Sequence, residues 1–467
     1  MASRRQGAAA GDGARTVAYQ LLRAVADRGA YANLALPALI AERRLSTRDA
    51  ALATELGYGT VRASGTLDLI IGACVDRSMT DVEPAVRCLL ELGAYQLLRT
   101  RIPAHAAVAT TVDLARATGH ERSAGFINAI LRRVSSEDWD AWIDRLTEGS
   151  SLTERLAVRY AHPVWIAEAF ADALGGDLAE TEAALRADEI RPQTHLVAWP
   201  GRIGRGDLLA AAGGIPGPYS PYAVRLDRGD PSRLEAIRQR RAGVQDEGSQ
   251  LCALALTRAP LTGRDERWLD LCAGPGGKTA LLAALGAQYA HLDQDRPAGP
   301  SVTANELHPH RAELVRKATL SWAVDIRVGD ARALIAPPGG WDRILVDAPC
   351  TGLGALRRRP ESRWRRSAAD VSELAALQRD LLATALALSR PGGVVAYVTC
   401  SPHPAETVSI LDDLAARSAA GDVCPHELLD ARPAFPGVEA LGAGPWVQLW
   451  PHRHGTDAMF CALIRRV

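Results

Sequence analysis

Residues 269–283 read L-D-L-C-A-G-P-G-G-K-T-A-L-L-A, an apolar run that breaks into a glycine-rich turn and resumes as an alanine- and leucine-rich helix. Strand, tight turn and helix together bring a backbone close to a nucleoside cofactor and aim a helix N-terminus at it. The P-loop pattern G-x-x-x-x-G-K-[ST] fits at Gly277, Lys278 and Thr279 but meets Cys272 where its first glycine belongs. Gly274, Gly276 and Gly277 are wrongly spaced for G-x-G-x-x-G. Two thiols further on give the turn its meaning. Cys350 lies in D-A-P-C-T-G and Cys400 in V-T-C-S-P, each directly after a strand-like run. A cofactor turn followed by thiols at two strand ends points to an alkyl-transfer enzyme using covalent thiolate catalysis.

The 467-residue chain has room for two or three domains. No apolar run reaches the ~18 residues of a membrane span, and the start M-A-S-R-R-Q-G lacks a signal-peptide apolar core, so no membrane partner is expected. Eight cysteines without a C-x-x-C pair argue against a zinc site or a disulfide framework and for a reducing cytoplasm. No metal is expected. Formal net charge is zero, so any nucleic-acid surface must come from local clustering. Only two of the 54 basic residues are lysines, Lys278 and Lys317. Arginine serves as well on an exposed face, so a lysine inside the glycine turn reads as a requirement.

Working outward, residues 243–467 alternate strand and helix. Strands are expected at Arg267–Cys272, Ser301–Asn305, Val324–Val328, Arg343–Asp347, Gly393–Val398 and Met459–Arg465. This pattern predicts an α/β domain with a mainly parallel sheet and a ligand beyond the strand C-termini. Residues 286–300 read as a polar surface loop inserted before the second strand. Residues 12–145 read as all-helical, with Ala18, Leu21, Leu22 and Val25 at i, i+3, i+4, i+7 spacing. Between them, residues 146–242 read as connecting helices and a small, turn-rich α+β module.

Acidic residues recur at the expected strand ends. Glu306 is placed to accept the ribose hydroxyls of an adenosine and Asp330 to read its adenine edge, although either acid alone suits a solvated helix cap equally well. Asp347, just before Cys350, suits the N3/N4 edge of a pyrimidine, where strong hydrogen bonding makes C6 open to attack. A thiolate from Cys400 attacking C6 makes C5 carbanion-like and able to take a methyl group. The remaining cysteines, Cys272 included, read as inert packing residues.

Two sets of motifs carry resemblances. A-R-T-V-A-Y-Q-L-L, D-A-A-L-A-T-E-L-G-Y-G-T-V-R, A-A-V-A-T-T-V-D-L-A and F-I-N-A-I-L-R-R, in that order, resemble the NusB-type RNA-binding helical domain. L-D-L-C-A-G-P-G-G-K-T, V-D-A-P-C-T-G-L-G, R-R-R-P-E-S-R-W and Y-V-T-C-S-P resemble the Sun family of RNA cytosine-5 methyltransferases. With the NusB-like front, nearly the whole chain is similar to the RsmB subfamily. The resemblance implies a NusB-like all-α domain, a small RRM-like α+β module and a Rossmann-like class I methyltransferase domain. It implies S-adenosyl-L-methionine as cofactor and 5-methylcytidine formed in 16S ribosomal RNA through a covalent Cys–C6 adduct. The partners expected are that RNA, naked or in a small-subunit assembly intermediate, with the enzyme a monomer.

Residue by residue, the resemblance makes Cys400 the nucleophile, Cys350 the thiol assisting product release, and Asp347 the contact to the target base. Cofactor contacts map to Cys272, Ala273, Gly274, Pro275, Gly276, Gly277, Lys278, Glu306, Asp330 and Asp347. After T-C-S many members continue with a P-E-E-N-E-like stretch; here it is P-H-P-A-E-T, which leaves the role of Glu406 open. Arg357, Arg358, Arg359, Arg363, Arg365 and Arg366 surround Trp364, a composition suited to RNA phosphates and base stacking. His454 and Asp457 are expected to order the last loop. Two competing readings are a DNA cytosine-5 methyltransferase using Cys350 and a non-enzymatic NusB-like RNA-binding or antitermination factor.

Overall fold

The computed structural model describes residues 8–227, 229–292 and 299–467. It divides into a first unit that ends at Ile190 and includes Leu356–Ser367, and a second of Arg191–Ala355 with Ala368–Val467. Among the described residues no helix is long and apolar enough to cross a membrane.

The first unit is helical from Ala8–Arg28 to Leu178–Glu189. Helix Thr47–Cys74 opens on Ser46, whose hydroxyl accepts the Asp49 N–H, and Pro84 starts the helix Pro84–Arg99. The core is built from side chains such as Leu56, Leu67 and Ile70 of the former with Leu89, Leu90 and Leu92 of the latter. Ala18, Leu21 and Leu22 of the predicted stripe are buried in it, with Val25 packed at its margin. The connecting helices of residues 146–190 fold with this unit rather than with the small module that follows them.

Leu356–Ser367 belongs to this unit as well, which corrects the RNA-contact expectation for two of its residues. Arg363 is fully buried. Its guanidinium donates to the carbonyls of Tyr160 (3.2 Å), Ala161 (3.0 Å) and Asp188 (2.8 Å) and to Glu189 Oε1 (2.7 Å). The Trp364 indole N–H donates to the Arg62 carbonyl at 3.1 Å, and its ring fills the space a side chain on Gly65 would need. A guanidinium spent on four protein oxygens has no face left for a phosphate, and a ring packed over a glycine has none for a base. Arg357 is buried too, Arg358 is half-buried, and Arg359 remains exposed near the Tyr31 ring.

The second unit begins with the small module. Its strands β1 (Thr194–Ala198), β2 (Ile215–Pro216), β3 (Ala223–Leu226) and β4 (Ala242–Val244) form an antiparallel sheet in the order β2-β3-β1-β4. Helix Arg205–Ala212 stops at Gly213, which takes the left-handed φ of +64° that ends a helix cheaply.

The larger sheet holds β5 (Arg267–Asp270), β6 (Ser301–Glu306), β7 (Val324–Val328), β8 (Trp341–Asp347), β9 (Ser389–Thr399), β10 (His426–Leu429), β11 (Val447–Gln448) and β12 (Phe460–Arg466). Its order is β10-β12-β9-β8-β5-β6-β7, with β11 on β12. The strands β5 to β9 pair in parallel, whereas β12 runs antiparallel to β9 and β10. Both faces are covered. Leu345 joins the cluster under helices Glu247–Arg258 and Gly277–Leu292, while its neighbours Ile344 and Val346 join the one under Ala368–Leu388 and Val408–Ala419. That alternation explains the continuous apolar runs Ile344–Val346 of β8 and Val394–Val398 of β9. The chain winds outward in both directions from β5, so the crevice lies at the C-terminal ends of β5 and β8.

Several boundaries differ from expectation. β6, β8, β9 and β12 differ at their ends from the expected spans, β9 most, beginning at Ser389 rather than Gly393. β5 ends at Asp270, leaving Cys272 in the turn. Helix Gly277–Leu292 runs through the first half of the predicted loop, because one glycine is tolerated in a helix and Gly286 lies where an added Cβ would come within 3.3 Å of Pro300. Residues 293–298 of that loop lie outside the described residues.

Candidate active site

The turn after β5 is built on backbone. Leu271 N–H donates to Leu345 O and Ala273 N–H to Asn305 O, both at 2.8 Å, carrying the ladder past the strand end. Gly274 N–H then donates to Glu306 Oε2 at 3.0 Å, and Glu306 Oε1 accepts the His308 N–H at 3.0 Å. Arg311 donates to the Gly274 carbonyl at 2.7 Å. A Cβ at Gly274 would lie 2.2 Å from Glu306 Oε2, so only glycine lets this backbone reach the acid. Gly276 has φ +109°, and a Cβ there would stand 2.9 Å from the Val315 backbone. Pattern and sterics agree at both glycines.

Below the turn, the Thr279 hydroxyl donates to Asp270 Oδ2 at 2.7 Å, while Asp270 Oδ1 is buried with no protein partner. Burial pushes this carboxyl up to about 7. Gln245 lies beside Gly277, with its own Oε1 buried and without a protein partner. A close-approach turn, a buried acid at the next strand end and two buried acceptor oxygens fit a nucleoside cofactor. Asp330, beyond β7, is exposed; it accepts the Arg332 backbone N–H and pairs with the Arg332 side chain, which holds it below the usual carboxylate range.

Lys278, in the first turn of the helix, places Nζ 2.9 Å from Asp347 Oδ2 at the end of β8. Burial works against the ammonium, but the Asp347 charge and hydrogen bond prevail and hold it above the ordinary lysine value. The register that sets Asp347 opposite Val398 places the loops after β8 and β9 side by side. Cys350 Sγ and Cys400 Sγ lie 3.4 Å apart across them. Contact with Cys400 and then burial push the Cys350 thiol well up. Burial does the same to Cys272, which stands in the turn as a neutral thiol.

A third loop completes the enclosure. Gly354 N–H donates to the Cys400 carbonyl at 2.8 Å, and Ala458 N–H to the Gly354 carbonyl at 2.9 Å. His454 Nδ1 accepts the Trp450 N–H at 2.8 Å and Asp457 N–H donates to Asp246 Oδ1 at 3.1 Å, both ordering this last loop. Of the residues singled out in the sequence, Asp347, Lys278, Cys350 and Cys400 converge, Gly274 and Glu306 meet in the turn, and Asp330 stands at the third strand end. Asp270 and Gln245 went unread as site residues, and Glu406 was noted with its role open. The signal for Asp270 was an acid closing an apolar strand.

The comparisons agree with this architecture. A family profile described as 16S rRNA methyltransferase RsmB/F matches residues 259–465, and one for the NusB family matches residues 12–136. A protein of Mycobacterium tuberculosis, provisionally named a methyltransferase, is 54% identical over 98% of this chain and 97% of its own. Ribosomal RNA small subunit methyltransferase B of Cronobacter sakazakii is 34% identical over 84% of this chain and 87% of its own. The solved structure of PH0851 covers 98% of this chain and 99% of its own with a TM-score of 0.78 at 21% identity, so the fold is common to both. The first profile spans the glycine turn and both thiol loops, and the second spans the helical front. With these and a relative 34% identical over most of both chains, this chain belongs to the RsmB/F family of 16S rRNA methyltransferases.

Proposed function

We propose that this chain forms 5-methylcytidine in 16S ribosomal RNA, with Cys400 as the nucleophile in a covalent adduct at C6 of the target base. The observation carrying this reading is the pair of thiols 3.4 Å apart beside a lysine-bound aspartate. The residues from Cys272 to Lys278, with Glu306, Asp330 and Asp347, hold S-adenosyl-L-methionine. When bound, that cofactor supplies the electrophilic methyl carbon for C5.

The protein's residues do the rest. Asp347, hydrogen-bonded by Lys278, accepts the N4 amino group and favours a proton on N3, which drains electrons from C6. The Cys400 sulfur then bonds to C6 while the C5=C6 π pair moves to C5. After methylation a base takes the C5 proton, the C5–H electron pair restores C5=C6, and the C6–S pair leaves with sulfur as the Cys400 thiolate. Two thiols in contact do not both ionise readily, so they titrate as a pair. Cys350, whose thiol is held protonated, donates to the Cys400 thiolate and assists its departure. The target base is splayed from its stack, since sulfur and methyl meet it from different faces.

Two further assignments complete the reading. Arg359, exposed in its segment, takes an RNA phosphate. The substrate is the ribosomal RNA itself or its small-subunit assembly intermediate, and the enzyme acts as a monomer in the cytoplasm. The test is methyl incorporation by wild type and Cys400→Ser into 16S RNA and into DNA of the same sequence. Incorporation into RNA alone, abolished in the variant while cofactor binding persists, is expected; full activity of Cys400→Ser overturns the reading.

A further inference from the structure

We propose that Glu406 is a positioning residue that holds the Cys350 thiol against the Cys400 thiol. The proposal deepens the two-thiol reading above and rests on it for its catalytic consequence. Glu406 lies on the loop that follows Cys400 and is completely buried. Its Oε1 accepts the Thr351 backbone N–H at 2.8 Å and the Gln378 side-chain amide at 3.2 Å. Its Oε2 accepts the Thr351 hydroxyl.

Gln378 donates in turn to the Pro349 carbonyl at 2.8 Å. The residues on either side of Cys350 are therefore both fastened to one carboxylate–amide pair. Tyr397 fixes that pair from below, its hydroxyl lying 2.8 Å from the Glu406 carbonyl and 3.1 Å from Gln378 Oε1. Thr351 Oγ1 also meets Ser401 Oγ, next to Cys400, at 3.3 Å. A carboxylate is suited to this place because it offers only acceptors, and three donors converge on it. Burial makes each bond costly to lose. The carboxylate itself touches no reacting atom; it sets where the second thiol stands relative to the first.

The position has a consequence that unfolding or general loosening does not share. Displacing Cys350 leaves attack by Cys400 possible but slows release, so the adduct gains on the product. The experiment uses the full chain in two assays. In the first, diamide oxidises the two thiols to a disulfide and is itself reduced to the hydrazine; the rate of Cys350–Cys400 bridging is read by peptide mapping, without RNA or cofactor. In the second, the ratio of protein–RNA adduct to methylated product is read on denaturing gels, with Cys350→Ala alongside.

For Glu406→Ala, bridging slows at least about tenfold and the adduct-to-product ratio rises by a similar factor. Glu406→Gln, which keeps one acceptor for the Thr351 N–H, recovers part of both. Thr351→Val, which removes only the hydroxyl bond, moves both in the same direction by a smaller factor and serves where the alanine variant fails to fold. Bridging at the wild-type rate in the folded variants overturns the proposal. So does a parallel fall of adduct and product in Glu406→Ala while Cys350→Ala traps adduct. Slowed bridging with no adduct from Cys350→Ala upholds the positioning by Glu406 and removes the release role from Cys350 instead.

Discussion

Cys350 and Cys400 close neighbouring parallel strands, and the register that pairs Asp347 with Val398 brings their sulfurs to 3.4 Å. Neither loop achieves this alone. Gly354 links the first loop to the Cys400 carbonyl and to Ala458, so three segments distant in sequence fix one pair of atoms. The crevice at the sheet's switch point then supplies the glycine turn on one side and the lysine–aspartate pair on the other.

Lys278 is expected to matter through Asp347. Lys278→Met removes the cation from a largely buried pair and leaves the carboxylate uncompensated, at a cost of about 3–5 kcal/mol shared between stability and catalysis. Methyl transfer falls roughly 100-fold at saturating cofactor. Steady-state kinetics with a parallel denaturant melt checks this; activity within about threefold of wild type in a folded variant contradicts the role given to the pair.

Asp270 makes stability depend on pH. Its carboxyl titrates near 7 when folded, above the ordinary 3.8, so the folded state binds the proton more tightly than the unfolded one. Stability is therefore greatest below the unfolded value and declines as pH rises from about 4 towards 7. Asp270→Asn abolishes this component, and the variant's advantage over wild type grows to as much as roughly 4 kcal/mol by pH 8. Thermal melts between pH 5 and pH 8 check the slope; parallel wild-type and variant curves refute it.

Gly276→Ala strains the cofactor turn. At φ +109° an L side chain is disfavoured, and its Cβ would stand 2.8 Å from the Ala318 Cβ. Relief by moving the turn costs about 1–3 kcal/mol, which weakens S-adenosylmethionine binding about tenfold or more. Calorimetry reads the affinity, and unchanged binding removes the turn from the cofactor site.

The arginine segment separates structural from RNA-facing charge. Arg363→Ala leaves Glu189 Oε1 and three carbonyls without this donor and destabilises the first unit by about 3–5 kcal/mol, with no change in the salt dependence of RNA binding. Arg359→Ala leaves stability intact and reduces the slope of log K against log salt by about one. A reduced slope in a folded Arg363→Ala reverses the assignment.

That segment also shows where reading a sequence runs out. Six arginines around a tryptophan have the composition of an RNA surface, but composition does not reveal that Tyr160, Ala161 and Asp188 offer their carbonyls to one of them. The sheet was legible because its two faces are both covered, which makes β8 and β9 apolar enough to stand out, and because the glycine turn marks the end of β5. Glu306, Asp347 and the two thiols were legible from their places at strand ends. Glu406 was not, since a carboxylate that only accepts bonds from Thr351 and Gln378 has no local pattern. Gly286 hid the true length of the helix Gly277–Leu292, a glycine being the same letter in a helix as in a loop.

The central claim concerns one sulfur, and RNA carrying 5-fluorocytidine at the target tests it most directly. Fluorine at C5 cannot leave as a cation, so release is blocked and the adduct persists. Digestion and mass spectrometry of the trapped complex identify the attached peptide. The account predicts that the nucleotide is bonded to Cys400 and that Cys400→Ser gives no adduct; attachment at Cys350 in the wild-type protein contradicts it.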